Sequence, residues 1–263
     1  MTRVLLVGES WFTYSVHQKG FDAFYTSEYV EGGAGFIAAL RDAGHDVSYI
    51  PSHEVAARFP RDAAALRDLT DVVVISDVGA NTFQLAPETF GSSIPSPDKA
   101  EVVREFVSAG GGVVMVGGYL TFSGVDAKAR WGRTSLAEAL PVRILDIDDR
   151  VELPAGAEPT VLQQHPVVAG LEARWPALLG LNELVAKDGG LTLAECAGHP
   201  LLVVGEYEQG RAAAFASDIA PHWAPPGFTE WPGYQIVFDR LVRWVAGEDL
   251  AESPDLATRG DAR

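Results

Sequence analysis

The sequence predicts an α/β fold, with a doubly wound, mainly parallel sheet, helices on both faces and an antiparallel extension. In the first half of the chain, short apolar runs alternate with helix-like segments, the order that βαβ units produce. These runs are apolar on both faces, which is typical of central strands in a parallel sheet. After Pro141 the pattern changes to short strand-like pieces joined by tight turns, which is typical of antiparallel pairing.

The N-terminal elements alternate regularly between strand and helix. In chain order, the pattern predicts a strand at 4–7, a helix at 35–43, a strand at 46–50, a helix at 62–69 and a strand at 71–77. Gly44 is predicted to end the first helix. Glu9 and Asp77 follow the first and third strands, so both are expected at the carboxyl edge of the sheet, where α/β proteins bind ligands.

Residues 11–30 are rich in aromatic side chains and show no clear periodicity, which predicts a long loop at the end of the first strand. Such a loop could form the wall of a pocket or a contact between subunits. Alternatively, its rings pack beneath the loop itself. The sequence leaves these interpretations open.

The centre of the chain is a glycine-bounded strand. Residues 84–97 are rich in Pro, Ser and Gly and predict a surface loop, and a helix at 98–109 follows. The apolar run 113–116 then predicts a buried strand that ends at Gly117-Gly118-Tyr119. Paired glycines allow a sharp turn, so this turn has the form of a nucleophile elbow with a tyrosine as the presented side chain.

The C-terminal half predicts smaller elements. A short helix at 135–140 precedes an antiparallel excursion at 142–165, strands follow at 191–196, 201–207 and 211–217, and a final amphipathic helix occupies 234–246. No linker divides the chain, so residues 1–247 are predicted to form one domain. The polar residues 248–263 are predicted to be a flexible tail.

Charge and composition exclude several functions. The formal net charge of −16 disfavours binding to nucleic acid or to anionic membranes. No apolar run approaches the roughly 20 residues of a membrane span, and Cys196 is the single cysteine, so no intramolecular disulfide can form. These features predict a cytoplasmic protein. No metal or cofactor motif is present in the sequence, so none is predicted.

Four stretches together resemble class I glutamine amidotransferase-like domains. They comprise the central strand and its elbow, the segment after the elbow, a His-Pro turn and the segment after the last strand, at 111–119, 124–131, 165–171 and 217–223. The chain is most similar to the "putative glutamine amidotransferase" and trehalose-utilisation-like branch of that superfamily. The resemblance spans about residues 3–247 and implies a flavodoxin-like sheet with its site at the strand ends.

The sequence departs from the family pattern at the residues that carry amidotransferase chemistry. The family uses an elbow Cys to attack the glutamine amide and form a thioester, with a His-x-Glu pair completing the triad. Here Tyr119 occupies the elbow, and Ala224 stands where the Glu that follows His222 is expected. Cys196 lies on a predicted hairpin strand without elbow glycines. Glutaminase chemistry by the usual triad is therefore not expected.

Polar residues at the predicted strand ends form a candidate site. His222, Glu9 and Tyr119 are the candidate catalytic residues, and the candidate substrate-binding residues are Gly118, Asp77, Asn81, Lys128, Arg130 and Trp223. The elbow N–H groups are expected to be available to a ligand oxygen. The sequence also leaves purely structural roles open. Glu9 would then cap a helix, Tyr119 would fill the nucleophile position, and the basic residues would pair with nearby carboxylates.

The predicted function is to act on, or bind, a small molecule at the carboxyl edge of the sheet. The alternative is a non-catalytic binding or assembly protein with a degenerate pocket. Homo-oligomerisation is predicted from the aromatic stretch and from the exposed elements after Pro141. The sequence leaves open the substrate and whether a divalent ion binds near Glu9, Asp77, Asp218 and His222.

Overall fold

The computed structural model describes residues 1–250, and its elements alternate as the apolar pattern predicts. The strands of this part are β1 (Arg3–Gly8), β2 (Ser10–Lys19), β3 (Asp22–Glu31), β4 (Asp46–Ile50), β5 (Val72–Ser76), β6 (Gly112–Val116), β7 (Val142–Ile144), β8 (Arg150–Ala157), β9 (Thr160–Val161), β10 (Leu178–Asn182), β11 (Leu184–Ala186), β12 (Leu191–Cys196), β13 (His199–Tyr207) and β14 (Gly210–Phe215). The helices are α1 (Ala34–Asp42), α2 (Val55–Arg58), α3 (Ala63–Leu69), α4 (Ala80–Gln84), α5 (Pro87–Ser92), α6 (Lys99–Ser108), α7 (Leu136–Ala139), α8 (Pro226–Thr229) and α9 (Pro232–Val245).

The main sheet has eight strands in the order β4-β1-β5-β6-β14-β13-β12-β9. The pairs from β4 to β14 are parallel, and β13, β12 and β9 continue the sheet antiparallel. Among the parallel strands, the chain order is second, first, third, fourth and fifth, which is the flavodoxin-like arrangement. The α/β fold with an antiparallel extension is confirmed.

Two helical layers cover the sheet. On one face α9 packs on β6, β14 and α1, and its side chains Val237, Leu241 and Val245 are buried there. On the other face α6 packs on β6 and β14 and also contacts α3 and α4. All five residues of β5 and of β6 are buried. Burial on both faces explains why these strands lack a polar alternation.

An aspartate caps the N-terminus of α3 and of α6. The Asp62 side chain accepts a hydrogen bond from the Ala65 N–H, and the Asp98 side chain accepts one from the Ala100 N–H. A carboxylate at this position satisfies a backbone donor that the first helical turn leaves free. These two contacts fix where the helices begin, next to the strands that form the carboxyl edge.

Residues 11–30 do not form a loop, and the prediction for this stretch is wrong. They form most of an antiparallel hairpin, in which β2 and β3 pair without a bulge from Ser10 opposite Glu31 to Lys19 opposite Asp22. The hairpin forms its own two-stranded sheet and leaves most of its rings exposed. Paired backbone hydrogen bonds stabilise the extended form, so the aromatic residues stand on a ribbon and do not pack beneath it.

One further segment differs from the sequence prediction. The segment 84–97 contains the helix α5, which Pro87 opens at its first position. Glu248, the first residue of the predicted tail, accepts a hydrogen bond from the Thr2 hydroxyl at 2.8 Å. The remainder of the predicted tail, 251–263, lies outside the described residues. Within residues 1–250, no helix combines the length and the apolar character that crossing a membrane requires.

Candidate functional site

Two carboxylates stand where the strand order reverses. β1 and β5 are neighbours at this switch point, and Glu9 and Asp77 directly follow them. Both residues have left-handed backbone conformations, with φ of 48° and 39°. A non-glycine residue seldom adopts this conformation, and such strain is concentrated at functional sites. The turns at the two strand ends therefore direct these side chains toward a shared region.

Glu9 is an interior carboxyl and caps no helix. Its side chain accepts a hydrogen bond from the Ser76 hydroxyl, and the residue is 2% exposed. Burial, followed by the nearby carboxylates of Asp218 and Asp77, raises the pKa of Glu9 well above its usual value. The neutral form of Glu9 is therefore favoured more strongly than it would be in an exposed glutamate.

Asp77 contacts the turn after the central strand. Its Oδ1 accepts a hydrogen bond from the Leu120 N–H at 2.7 Å. Burial, together with a smaller effect of the Asp218 carboxylate, raises the pKa of Asp77 to about 6, although this hydrogen bond opposes the change. Asp77 therefore changes its protonation state close to physiological pH.

The elbow amides are already occupied. The Gly118 N–H donates to Asn182 Oδ1 at 3.0 Å, and the Leu120 N–H donates to Asp77 Oδ1. The expectation that these groups are available to a ligand oxygen is wrong for this conformation. Two side chains distant in sequence satisfy the donors, as buried backbone groups require.

His222 lies opposite Tyr119. The two ring centroids are 4.3 Å apart, and the planes are nearly perpendicular. Asp218 Oδ2 lies 3.6 Å from His222 Nδ1. The Asp218 carboxylate raises the pKa of His222, while partial burial opposes the change. The imidazole side chain is 40% exposed, whereas that of Asp218 is 5% exposed. An oriented, accessible imidazole backed by a buried carboxylate can exchange protons with a bound molecule.

Tyr119 and Trp223 share one partner, Glu152. The Tyr119 hydroxyl donates to Glu152 Oε1 at 2.9 Å, and the Trp223 Nε1–H donates to Oε2 at 3.1 Å. The Arg150 guanidinium lies 4.8 Å from the centre of the Tyr119 ring. The hydrogen bond to Glu152 raises the pKa of Tyr119, so its hydroxyl stays neutral. Trp223 is 1% exposed and supports the His222 ring from behind.

Three of the predicted substrate-binding residues, Asn81, Lys128 and Arg130, line a separate cleft of about 610 Å³. The Lys128 ammonium pairs with Asp126 at 2.7 Å, as the structural alternative of pairing with a carboxylate expects. Arg130 has a left-handed backbone, with φ of 62°, and its side chain is exposed. This cleft and the Tyr119–His222 pair have no lining residue in common, so the structure divides the candidate residues into two groups.

Cys196 has surroundings that do not suit a reactive thiol. It is buried at the end of β12, and its Sγ lies 3.5 Å from the Ala157 carbonyl oxygen. Burial raises the pKa of the Cys196 thiol to about 11, so the reactive thiolate is scarce at neutral pH. Among residues 1–250, no group of three or more His, Cys, Asp and Glu side chains has an arrangement that could hold a metal ion.

Sequence reasoning missed several residues that organise the site. Asp149 is buried and accepts hydrogen bonds from the Ser123 and Gly124 N–H groups and from Asn182 Nδ2. It thereby fixes the segment after the elbow. Glu152 orients Tyr119. These residues belong to the antiparallel excursion, where no motif marks them, and only an isolated charge on a strand-like segment could have drawn attention to them.

Comparison with known proteins identifies relatives that match over nearly the whole chain. The family model described as "Putative glutamine amidotransferase" matches residues 3–247. A cytoplasmic protein of Salmonella typhimurium is 43% identical with a TM-score of 0.90, and the match covers 93% of this chain and 99% of that one. A second cytoplasmic protein, from strain LT2, is 44% identical with a TM-score of 0.89, covering 92% and 99%.

A ThuA-like protein from Parabacteroides merdae shares the fold at 14% identity, with a TM-score of 0.55 and coverage of 93% of this chain and 90% of that one. The curated proteins contain no match to the chain. The family model and the two Salmonella proteins each cover most of the residues that form the sheet and the site. The chain therefore belongs to the glutamine amidotransferase-like family.

Proposed function

We propose that the chain acts on a small molecule by general acid–base chemistry at the switch point of the sheet, without the thioester chemistry of a glutaminase. The observation that carries this proposal is the convergence of His222, Asp218, Asp77 and Glu9 from three strand ends. Burial raises the pKa of Asp77 to about 6, and the Asp218 carboxylate raises the pKa of His222 above that of an ordinary histidine. Pairs of groups with such pKa values are what proton transfer to and from a substrate requires.

His222 is the residue proposed to exchange the proton. Asp218 lies beside Nδ1 and favours the tautomer with its proton there, which leaves Nε2 as the basic nitrogen. Tyr119 forms a wall against which a small molecule can stack. Glu9, which is buried and whose pKa is raised by that burial, is a positioning residue that holds Ser76.

The surroundings of the elbow argue against amide attack. Tyr119 stands at the elbow with its hydroxyl held by Glu152, and a neutral phenol is a poor acyl carrier. A tetrahedral intermediate also needs free donors, and the Gly118 and Leu120 N–H groups are occupied by Asn182 and Asp77. Opening that arrangement would leave the buried Asn182 oxygen without its partner, which costs about 1–3 kcal/mol.

We expect the purified protein to release no ammonia from glutamine above the level without protein. Cys196→Ser should leave this background unchanged, because the thiol is buried and protonated. A coupled glutamate dehydrogenase assay measures the ammonia, with an authentic glutaminase as the positive control. Turnover that disappears in Cys196→Ser would contradict the proposal.

We expect Asp218→Asn to lower the pKa of His222, because the carboxylate is the main cause of the raised value and burial acts in the opposite direction. NMR titration of the imidazole C–H signals measures this change, with His222→Ala assigning the signal. His199→Ala, in the β12–β13 hairpin, is the matched control and should leave the His222 titration unaltered. If the wild-type His222 titrates below an ordinary histidine, the proposed acid–base pair is wrong. The alternative, a non-catalytic binding protein, would then be favoured.

A further inference from the structure

The outer part of one face of the β2–β3 hairpin is made of uncharged side chains. Directly opposed residues of a hairpin share a face, and successive residues alternate between faces. The register therefore places Phe12 with Tyr29, Tyr14 with Ser27 and Val16 with Tyr25 on the same side. We call these residues, with Gln18 and Ala23, the aromatic face; Glu31 follows it at the base. The opposite face mixes rings with charged side chains, namely Trp11, His17 and Phe24 with Glu28, Lys19 and Asp22.

The outer half of the aromatic face is open to solvent. Tyr14 is 77% exposed and Tyr25 is 75% exposed. Only the base is supported by the rest of the chain, where the His53 ring packs against Phe12 and Tyr29 with centroids 5.5 and 5.1 Å apart. An isolated two-stranded hairpin is at best marginally stable in water, so a regular ribbon of this length is expected to be covered.

We propose that a second copy of this chain covers the aromatic face, so that two hairpins stack face to face. Contiguous exposed apolar side chains of this kind are typical of a protein–protein contact surface. Two identical faces related by a two-fold axis form a self-complementary contact. Tyr14 and Tyr25 would lie at its centre, where aromatic anchors contribute most of the binding energy.

The charge distribution favours a second copy. The chain has a formal net charge of −16, so two copies repel wherever their acidic surfaces meet. Outward from Phe12 and Tyr29 this side of the hairpin carries no charged side chain, so it permits approach without bringing like charges into contact. The one carboxylate on this side, that of Glu31, lies at the base and already accepts a hydrogen bond from the Tyr29 hydroxyl, so a basic partner would find no carboxylate along the outer part.

The available area suits a dimer. A ribbon of ten residues per strand is about 33 Å long at ~3.3 Å per residue. An aromatic side chain buries about 150–250 Å² when fully covered, so the aromatic face with its tip residue Phe21 approaches the ~800 Å² per partner of a standard interface. The hairpin begins directly after Glu9, so this assembly would also stand beside the proposed site.

Sedimentation velocity across the micromolar range tests the proposal with two variants that each add one negative charge to β2. We expect the wild-type chain to assemble and Tyr14→Glu to weaken the association by about 30-fold or more, as loss of a central aromatic anchor does. Ser15→Glu, the neighbouring position on the opposite face, is the matched control and should assemble as the wild type does.

Circular dichroism melting checks that both variants fold, since Tyr14 is exposed and Ser15 is half-buried. A wild-type chain that is monomeric throughout this range would overturn the proposal. So would assembly that persists in Tyr14→Glu, or that Ser15→Glu weakens equally. The acid–base proposal does not depend on this result, because the His222 titration is measured on each chain independently of assembly.

Discussion

Replacement of Gly8 by alanine is expected to lower the free energy of unfolding by about 3–5 kcal/mol, through overpacking and backbone strain together. Gly8 ends β1 with φ of +105°, a conformation that a residue with a Cβ rarely adopts. An added Cβ would lie 2.0 Å from the Ser76 carbonyl oxygen and 2.7 Å from Val78 Cγ1. Because the first of these atoms is backbone in the adjacent central strand, no side-chain rotation relieves the overlap.

Gly35→Ala is the matched control for this change. Gly35 lies in the first turn of α1, and nothing lies within 4 Å of its added Cβ. Alanine is preferred over glycine inside a helix, so this variant should gain about 0.5–1 kcal/mol. Urea denaturation of the three proteins measures both effects. If the free energy of unfolding of Gly8→Ala is within about 1 kcal/mol of the wild type, which is the size of the effect expected for the control, then β1 and β5 do not approach as closely at the switch point as the structure shows.

Asp77→Asn is expected to stabilise the protein at neutral pH by up to about 3 kcal/mol, since each pKa unit corresponds to ~1.4 kcal/mol. The pKa of Asp77 is raised from 3.8 to about 6 by burial. The folded state therefore binds more protons than the unfolded state between these values, and stability falls as the pH rises through this window. Asn removes the charge but keeps an oxygen that can accept from the Leu120 N–H, and it tolerates a left-handed backbone.

The gain should depend on pH in a defined way. Below pH 3.8, the carboxyl is protonated in both states, and the variant and the wild type should differ little. The difference should grow up to about pH 6 and then stay constant. Thermal unfolding across this range measures it. An Asn variant that is less stable at neutral pH would show that Asp77 contributes as an ion pair, and the acid–base proposal would lose one of its members.

Asp71→Asn provides a control with the opposite sign. Although partial burial raises the pKa of Asp71, its hydrogen bonds to Arg3 prevail and lower it overall. The Asp71 carboxylate therefore contributes stability at neutral pH, which is lost as the pH falls through its lowered pKa. Asp71→Asn should destabilise the protein above this window. Asp77, by contrast, lowers the free energy of unfolding at neutral pH. Functional sites often contain residues that reduce stability in this way.

The resemblance, the fold class and most strand positions could be predicted from the sequence. The buried strands β5 and β6 are runs of Val, Ile and Met, which show burial on both faces without any knowledge of their neighbours. The hairpin of β2 and β3 could not be recognised in the same way. Each strand mixes aromatic and polar residues on both of its faces, so neither strand shows a clear alternation. The pairing depends on contacts between the two strands.

The candidate site was predictable only in part. Glu9, Asp77, Tyr119 and His222 each follow a strand-like run, so their common edge follows from the parallel order. Which of these side chains contact each other depends on how the strands pack in the sheet, so it could not be predicted. The roles of Asp149, Asn182 and Glu152 could not be predicted, because Asp149 and Glu152 come from the excursion at 142–165 and Asn182 from the end of β10, segments whose paths no local periodicity sets.

By itself the sequence determined the α/β class, the family resemblance and the tyrosine at the elbow, because these depend on local residue order and on spacing along the chain. The tertiary structure decided the state of the elbow amides and the protonation of the buried carboxyls. The Gly118 amide meets Asn182 across 64 residues, and the Ser76 hydroxyl meets Glu9 across 67. Desolvation and the proximity of like charges arise only when such distant segments pack together, and they shift the pKa values on which the proposed chemistry depends.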